Sequence, residues 1–439
     1  MASTYLTRTS GTPTNAQKGT ISLWVKRTGL SSTSKGRFFM NHLSSTSYGY
    51  TDFTGGDKLR CAIDDPSTVS IQTNRIFRDT SAWYNVVWSI DTTENTASDR
   101  VKLYVNGVQE TSFQTDTYPN QNITLNLFNT SVSNGQVIGS YYTGSSYSGA
   151  FEGLISHYHF IDGTAYPAST FGSTDSTTGE WKINTSPSVT YGNNGFFILK
   201  DGNTITDSSP NSNNFTLGAG TLTKTEDCPS NVFCTWNPNY RSARKDMTLT
   251  NGNTFIFEQN SGDSGVSGTI AVSSGKWYWE QIIAQVNGTN AAVIGGLHTT
   301  EDFNESPTDA NTANTCGLRA NGNAYKGTTN LGNFTSADPN GDIFGIAFDA
   351  DNGSVYYWKN GTALNSGNAI ITGLDMTKTW VPFGVQHGGA RVTTSTNWGN
   401  GYFQTTAVSS AGTNASNNGI FEYDVPTGYT ALSTKGLNL

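Results

Sequence analysis

The stretch TISLWVKR, residues 20 to 27, alternates apolar and polar residues, with Ile21, Leu23 and Val25 on one side. In an extended backbone successive side chains point to opposite faces, so this alternation describes a half-buried strand. The pattern recurs in WYNVVWSI (83–90), VKLYVNG (101–107), QVIGSYY (136–142), LISHYHFIDG (154–163) and GFFILKDG (195–202). It continues in TFIFEQ (254–259), GKWYWEQII (275–283), AAVIGGL (291–297), GDIFGIAFD (341–349), SVYYWKNG (354–361), WVPFGVQ (380–386) and RVTTSTNWG (391–399). Helical periodicity never lasts beyond two turns. Short runs bounded by Gly, Asn, Asp or Pro restrict such a chain to sheets, and their regular spacing predicts antiparallel sandwiches.

A chain of 439 residues fits two domains of ordinary size. The apolar runs lapse after residue 202 into polar sequence such as NSNNFTLGAG (211–220) and TKTEDCPSNVFCTWNPNYRSARKD (223–246). We therefore expect an all-β protein of two jelly-roll-like sandwiches, residues 1–202 and 247–439, joined by a polar linker at 203–246. Charged residues make up only 13% of the chain, which favours turns over solvated helices, while 12% aromatic residues argue against disorder. A net charge of −8 repels a phosphate backbone, so nucleic acid is not an expected partner. No apolar run reaches the ~18 residues needed to span a bilayer, and MASTYLTRTSGTPTNAQKGT lacks the basic and apolar segments of a signal peptide. The expectation is a chain made in the cytoplasm with no membrane insertion. Cys61, Cys228, Cys234 and Cys316 are too sparse for a disulfide scaffold; idle thiols and a local Cys228–Cys234 bridge are both open.

Two segments, VKLYVNGVQE and VYYWKNGTAL, read alike. In the second half DADNGS joins two alternating segments into a hairpin, and Asn352 and Gly353 are expected at positive φ, with Asn360–Gly361 ending the partner strand. The C-terminal stretch IFEYDVPTGYTALSTKGLNL is apolar and charge-poor. It suits either cover for its own domain or a contact in a homo-oligomer.

GKWYWE, GDIFGIAFDADNGSVYYWKNG, VPFGVQ and NWG (397–399) resemble the successive strand motifs of the SPRY family, over most of residues 247–405. SLWVKR, WYNVVWSI, VKLYVNG and FEGLISHYHFIDGTAYP resemble the laminin-G and concanavalin A-like jelly rolls. The pairing itself, with CTWNP leading into GKWYWE, resembles proteins of tailed bacteriophages. That resemblance implies a non-enzymatic protein of the virion surface, a fibre or adhesin that binds a host-cell glycan or protein receptor. The alternatives are a capsid- or tail-decorating protein that binds only other virion proteins, and a polysaccharide-degrading enzyme.

The candidate chemistry is sparse. EYDVPT (422–427) approaches a strand carrying three carboxylates but has Thr where the third acid is needed. His157 and His159 would share a strand face and offer two metal ligands. Asp349 and Asp351 raise calcium as a cofactor, although the register fails a calcium-binding loop, and no other cofactor is implied. GSYYTGSSYSGAF (139–151) places Tyr141, Tyr142 and Tyr147 among Gly and Ser, a composition suited to recognition by rigid aromatic anchors. The alternative is one tyrosine in the core and two on the surface. RANGNAYKGTTN (319–330), with Tyr325, is the matching candidate where the SPRY resemblance places ligand loops.

Overall fold

The computed structural model describes residues 4–30, 37–64, 68–128, 133–200, 204–241, 247–258, 264–284, 293–301, 314–336, 341–386 and 393–438. The chain divides into two compact units, Met1–Lys224 and Thr225–Leu439. It is all-β: among the described residues the only helical turns are short 3-10 segments, and no helix is long and apolar enough to cross a membrane.

In the first unit, TISLWVKR forms the centre of strand Lys18–Arg27. It pairs antiparallel with Trp83–Asp91 on one side and Gly153–Asp162 on the other, within a six-stranded sheet. The facing eight-stranded sheet runs in the order Phe113–Thr117, Val69–Thr73, Leu59–Asp64, Ser47–Phe53, Arg37–Ser44, Gln136–Ile138, Tyr5–Arg8 and Thr216–Ala219. Ile21, Leu23 and Val25 meet Phe39, Cys61, Ile63 and Ile71 in one core, which makes the two sheets a sandwich. Full burial of each such aliphatic side chain contributes roughly 1.5–3 kcal/mol.

The second unit repeats the plan with other strands. One sheet orders Trp236–Arg241, Ser264–Gly268, Trp380–Gln386, Val293–Thr299, Thr315–Arg319, Asn323–Lys326 and Thr329–Asn333. The other orders Met247–Thr250, Phe255–Glu258, Thr393–Asn397, Lys276–Ala284, Ile343–Asp349, Ser354–Lys359 and Thr362–Ala363. Trp279, Phe344 and Ile346 of the second sheet pack with Ile294, Leu297 and Leu318 of the first. Residues 291–292 and 391–392, read from the sequence as the starts of strands, lie outside the described residues.

Three readings need correction. The stretch taken as a linker is polar because its side chains bond backbone, not because it is free. Thr216–Ala219 joins the first unit's sheet beside Tyr5–Arg8, and Trp236–Arg241 joins the second unit's sheet. Asp207 accepts from the amides of Phe197, Ser209 and Asn213, and Asn213 donates to the carbonyls of Asn193 and Gly195. Second, QVIGSYY breaks at Gly139, φ +89°, into Gln136–Ile138 and Tyr141–Tyr142. Third, the Asn-Gly pairs differ. Asn106–Gly107 and Asn360–Gly361 both take left-handed φ (49° and 77°, 49° and 75°) and make two-residue hairpins, so the second opens a further short strand, Thr362–Ala363. At 350–353 only Gly353 is left-handed, φ +62°. There the Asp349 carboxylate accepts from the amides of Asp351 and Asn352 and from Asn352 Nδ2, and so sets the longer turn. Of the two placements open for the C-terminal stretch, the structure takes the one within its own unit: Phe421, Val425, Tyr429 and Leu432 are in the core, and Thr430–Ala431 pairs parallel with Trp277 and Tyr278. All four cysteines are unbridged.

Candidate functional site

Tyr141–Tyr142 and Tyr147–Ser148 pair as a small hairpin that folds back over the outward face of the eight-stranded sheet. Thr143 and Ser146 close its turn, and the Tyr142 amide reaches Met40 Sδ at 3.3 Å. None of the three tyrosines enters the main core. Tyr147 is stacked between Tyr142 (centroids 4.5 Å, 24° apart) and Tyr5 of the first strand (4.1 Å, 16°). All are half-buried. The turn comes so close to the sheet that a Cβ at Gly144 would stand 3.1 Å from His42 Cε1.

The sheet beneath supplies a floor that the sequence analysis missed. Ser47–Phe53, SYGYTDF, alternates with aromatics outward: Tyr48 and Tyr50 face away from the core while Ser47, Gly49 and Thr51 face in. The Arg37 guanidinium lies 3.9 Å from the Tyr50 ring centre and 3.7 Å from that of Tyr141. Such cation–π contacts contribute about 0.5–2 kcal/mol each. His42 sits edge-on to Tyr142 at 5.0 Å. It is 4% exposed and neither ring nitrogen has a hydrogen-bond partner. Burial holds its imidazole below the ordinary 6.5, so it is neutral at pH 7. Burial, then the hydrogen bond and charge of Asp64, push the Tyr48 hydroxyl up to about 12. The signal available in the sequence was the Y-x-Y alternation with small residues between, which is a strand pattern turned inside out.

Tyr325 belongs to the other unit and is not part of this cluster. It lies under the Arg319 guanidinium, 4.0 Å from the ring centre, packs on Val293 and Phe383, and accepts from Asn330 Nδ2 at 3.3 Å. The histidine pair is separated by a bulge: His157 takes φ +48° and the strand register shifts around it. His159 is buried, bonded to the Tyr191 hydroxyl at 2.9 Å and stacked on Phe197 at 3.9 Å, which leaves its ring committed to packing. The Asp349 carboxylate is engaged by its own turn and by Lys276 at 3.3 Å. Among the described residues no three His, Cys, Asp or Glu side chains group as metal ligands. In EYDVPT, Glu422 accepts from the Ser409 amide at 2.6 Å and Asp424 from the Thr413 amide at 2.6 Å, so both acids brace loops.

One further pair has nucleophile-like geometry. Ser267 Oγ lies 2.7 Å from His298 Nε2, and His298 Nδ1 lies 2.8 Å from the Thr299 carbonyl. Both side chains are buried, and burial pushes the imidazole down to about 4. A hydroxyl shut from solvent cannot meet a polymer substrate; the arrangement reads as a satisfied polar pair.

Residues 1–169 match a laminin G family model described as the concanavalin A-like lectin/glucanases superfamily. No curated protein matches the chain in sequence. Solved structures with detected similarity include the SPRY domain of human HERC1, at 16% identity over 37% of this chain and 96% of that one, TM-score 0.31. The mouse laminin alpha1 chain, domains LG4-5, is similar at 9% identity over 89% of this chain and 84% of that one, TM-score 0.29. Domain 4 of AbnA, a GH43 extracellular arabinanase from Geobacillus stearothermophilus solved in complex with arabinotriose, is similar at 19% identity over 35% and 64%, TM-score 0.26. The first unit thus combines a concanavalin A-like sequence match with an aromatic cluster on the outward face of its eight-stranded sheet, packed over Met40 and Val137.

Proposed function

We propose that the first unit binds a saccharide on the outward face of its eight-stranded sheet, and that the chain binds without catalysing. The observation that carries this reading is the stack of Tyr5, Tyr147 and Tyr142 beside Tyr48 and Tyr50. Tyr147 has both faces covered by its neighbours, so the stack, fixed by its own contacts, offers ring edges and hydroxyls to a sugar at little entropic cost, with nearby amides to serve the O–H groups. What favours binding over hydrolysis is the commitment of Glu422 and Asp424 to loop amides, which leaves those carboxylates without the paired geometry of an acid and a nucleophile.

The finer reading is that of a bacteriophage virion-surface protein, a fibre or adhesin in which Tyr141, Tyr142 and Tyr147 contact a host-cell glycan and Tyr325 marks a second ligand surface. Its support is the resemblance of the paired sequence motifs. A glycan array run beside a pull-down with virion proteins tests it. Saturable binding to glycans is expected; capture by virion proteins alone would favour a decorating role, and sustained release of reducing sugar from host polysaccharide would overturn the non-catalytic reading.

A further inference from the structure

Among the described residues no backbone hydrogen bond joins residues 140–149 to the sheet beneath; the hairpin pairs with itself, and its amide of Tyr142 reaches down only to the thioether of Met40, a weak acceptor, at 3.3 Å. Glycines at positive φ stand at both ends, Gly139 at +89° and Gly149 at +58°, where the chain turns without a Cβ penalty. The hairpin is thus hinged at two glycines and held down by side chains: Tyr147 on Tyr5, Tyr141 against Arg37, and Tyr142 against His42. His42 is the weak point of that packing. Its ring is 4% exposed, neither nitrogen has a hydrogen-bond partner, and the turn closes over it so tightly that a Cβ at Gly144 would lie 3.1 Å from Cε1 and 3.4 Å from Nε2. A neutral imidazole under this cover leaves one donor and one acceptor unmet, whereas an imidazolium would leave a full charge and two donors without water, at far greater cost. The groups around it do not relieve that cost. Across the sheet its register partner Tyr48 faces Asp64 with its hydroxyl; the strand on the other side, Gln136–Ile138, and the hairpin itself lie within residues 117–151, which carry no charged side chain. On its own strand Arg37 has the same sign as an imidazolium and stands opposite Asp52, which Arg60 also engages.

We propose that residues 140–149 form a pH-operated flap with His42 as its latch, closed while the imidazole is neutral and swung off the sheet on Gly139 and Gly149 when the imidazole takes a proton that only water can solvate. Burial holds the His42 imidazole below 6.5 in the closed flap, while in the open one it has its ordinary value. The closed state is therefore fully favoured above 6.5, and the open fraction grows as pH falls below it, by at most ~10-fold per pH unit. Opening parts Tyr147 from Tyr5 and takes apart the stack, whether or not a saccharide binds there. It also bares Met40, which is 0% exposed beneath the closed flap.

Met40 supplies the readout. The full chain is exposed to hydrogen peroxide at about pH 7.5 and about pH 5, and sulfoxide formation at each methionine is followed by peptide mass spectrometry. Met376, half-buried in the second unit, serves as the internal reference. Relative to Met376, Met40 is expected to oxidise at least ~10-fold faster at the lower pH in the wild type. H42F, whose ring stays uncharged beneath the flap, should keep the slow rate at both pH values, and its melting temperature should not fall, because an unpaired polar group has been removed. A wild-type Met40 rate that is the same at both pH values overturns the proposal without need of any variant. Acid-accelerated oxidation that persists in folded H42F overturns it too, because another group, such as Asp52 or Asp64, would then be responsible. So does acceleration that coincides with loss of the first unit's cooperative melt at pH 5, which is unfolding and not a hinge motion.

Discussion

At the scale of single residues, two buried groups in the second unit oppose each other. Glu280 is buried under four donors: the amides of Glu422 and Tyr423 at 2.9 Å each, Asn397 Nδ2 at 3.1 Å and the Tyr278 hydroxyl at 3.3 Å. Burial outweighs them and pushes its carboxyl up from 4.5 to about 7, while burial pushes His298 down from 6.5 to about 4. As pH rises from about 4.5 to 6.5 the unfolded chain loses the Glu280 proton that the folded chain keeps, so stability falls. Over the same window the unfolded chain loses a His298 proton that the folded chain never held, so stability rises. At ~1.4 kcal/mol per tenfold change each contribution is roughly 3 kcal/mol, and they nearly cancel. Asp349 and Asp375 are held below 3.8 and titrate outside the window. Urea unfolding of the second unit should therefore be nearly flat from pH 4.5 to 6.5 in the wild type. E280Q should make it more stable with rising pH, and H298Q less stable. Identical slopes in all three chains would mean that neither group is as buried as described. The Gly353 turn gives a second residue-scale prediction. A Cβ there would lie 2.6 Å from the Leu374 carbonyl oxygen on a backbone at φ +62°, so G353V should cost about 2–4 kcal/mol in urea unfolding. N352A, at a position that is not left-handed, should cost about 1 kcal/mol; equal costs would mean that the turn is set differently.

At the scale of elements, the C-terminal segment is a structural part of the second unit. Phe421 packs edge-on against Tyr278 at 5.0 Å, and the amides of residues 422 and 423 end on Glu280. Deleting residues 420–439 should abolish cooperative unfolding of the second unit, because it strips the core of four large side chains and removes two of the four donors of the buried Glu280 carboxyl. A truncated chain with an unchanged second transition contradicts this. The sequence made one half of the element story legible. Strands with apolar residues inward, such as Lys18–Arg27 and Trp83–Asp91, announce themselves by alternation, and so do the Asn-Gly hairpins. The meander from Arg37 to Thr73 went unread because part of it is inverted. Ser47, Gly49 and Thr51 fill the inward positions, Gly49 being pressed so close to Leu127 that a Cβ would lie 3.1 Å away. The tyrosine loop could be picked out by composition, but Tyr5, Arg37, His42, Tyr48 and Tyr50 reach it only through pairings between strands far apart in sequence. The stretch 203–246 misled for a related reason: Asp207 and Asn213 look like linker residues until their backbone partners are known.

At the scale of the whole molecule, each unit has its own core and its own pair of sheets. Residues 1–224 and 225–439 expressed separately should each give a β-rich circular dichroism spectrum and a single cooperative melt; a fragment that melts without cooperativity would show that its core is incomplete alone. Saccharide binding should travel with the first fragment. The most direct measurement is a glycan-array comparison of the full wild-type chain with a Y142A/Y147A double variant, read beside the melting temperature of each. We predict that the wild type binds a defined set of glycans and that the variant, folded and melting within a few degrees of the wild type, loses at least ~10-fold in affinity for all of them, as expected when stacking rings are removed. A folded variant that binds the same glycans equally well would contradict the account.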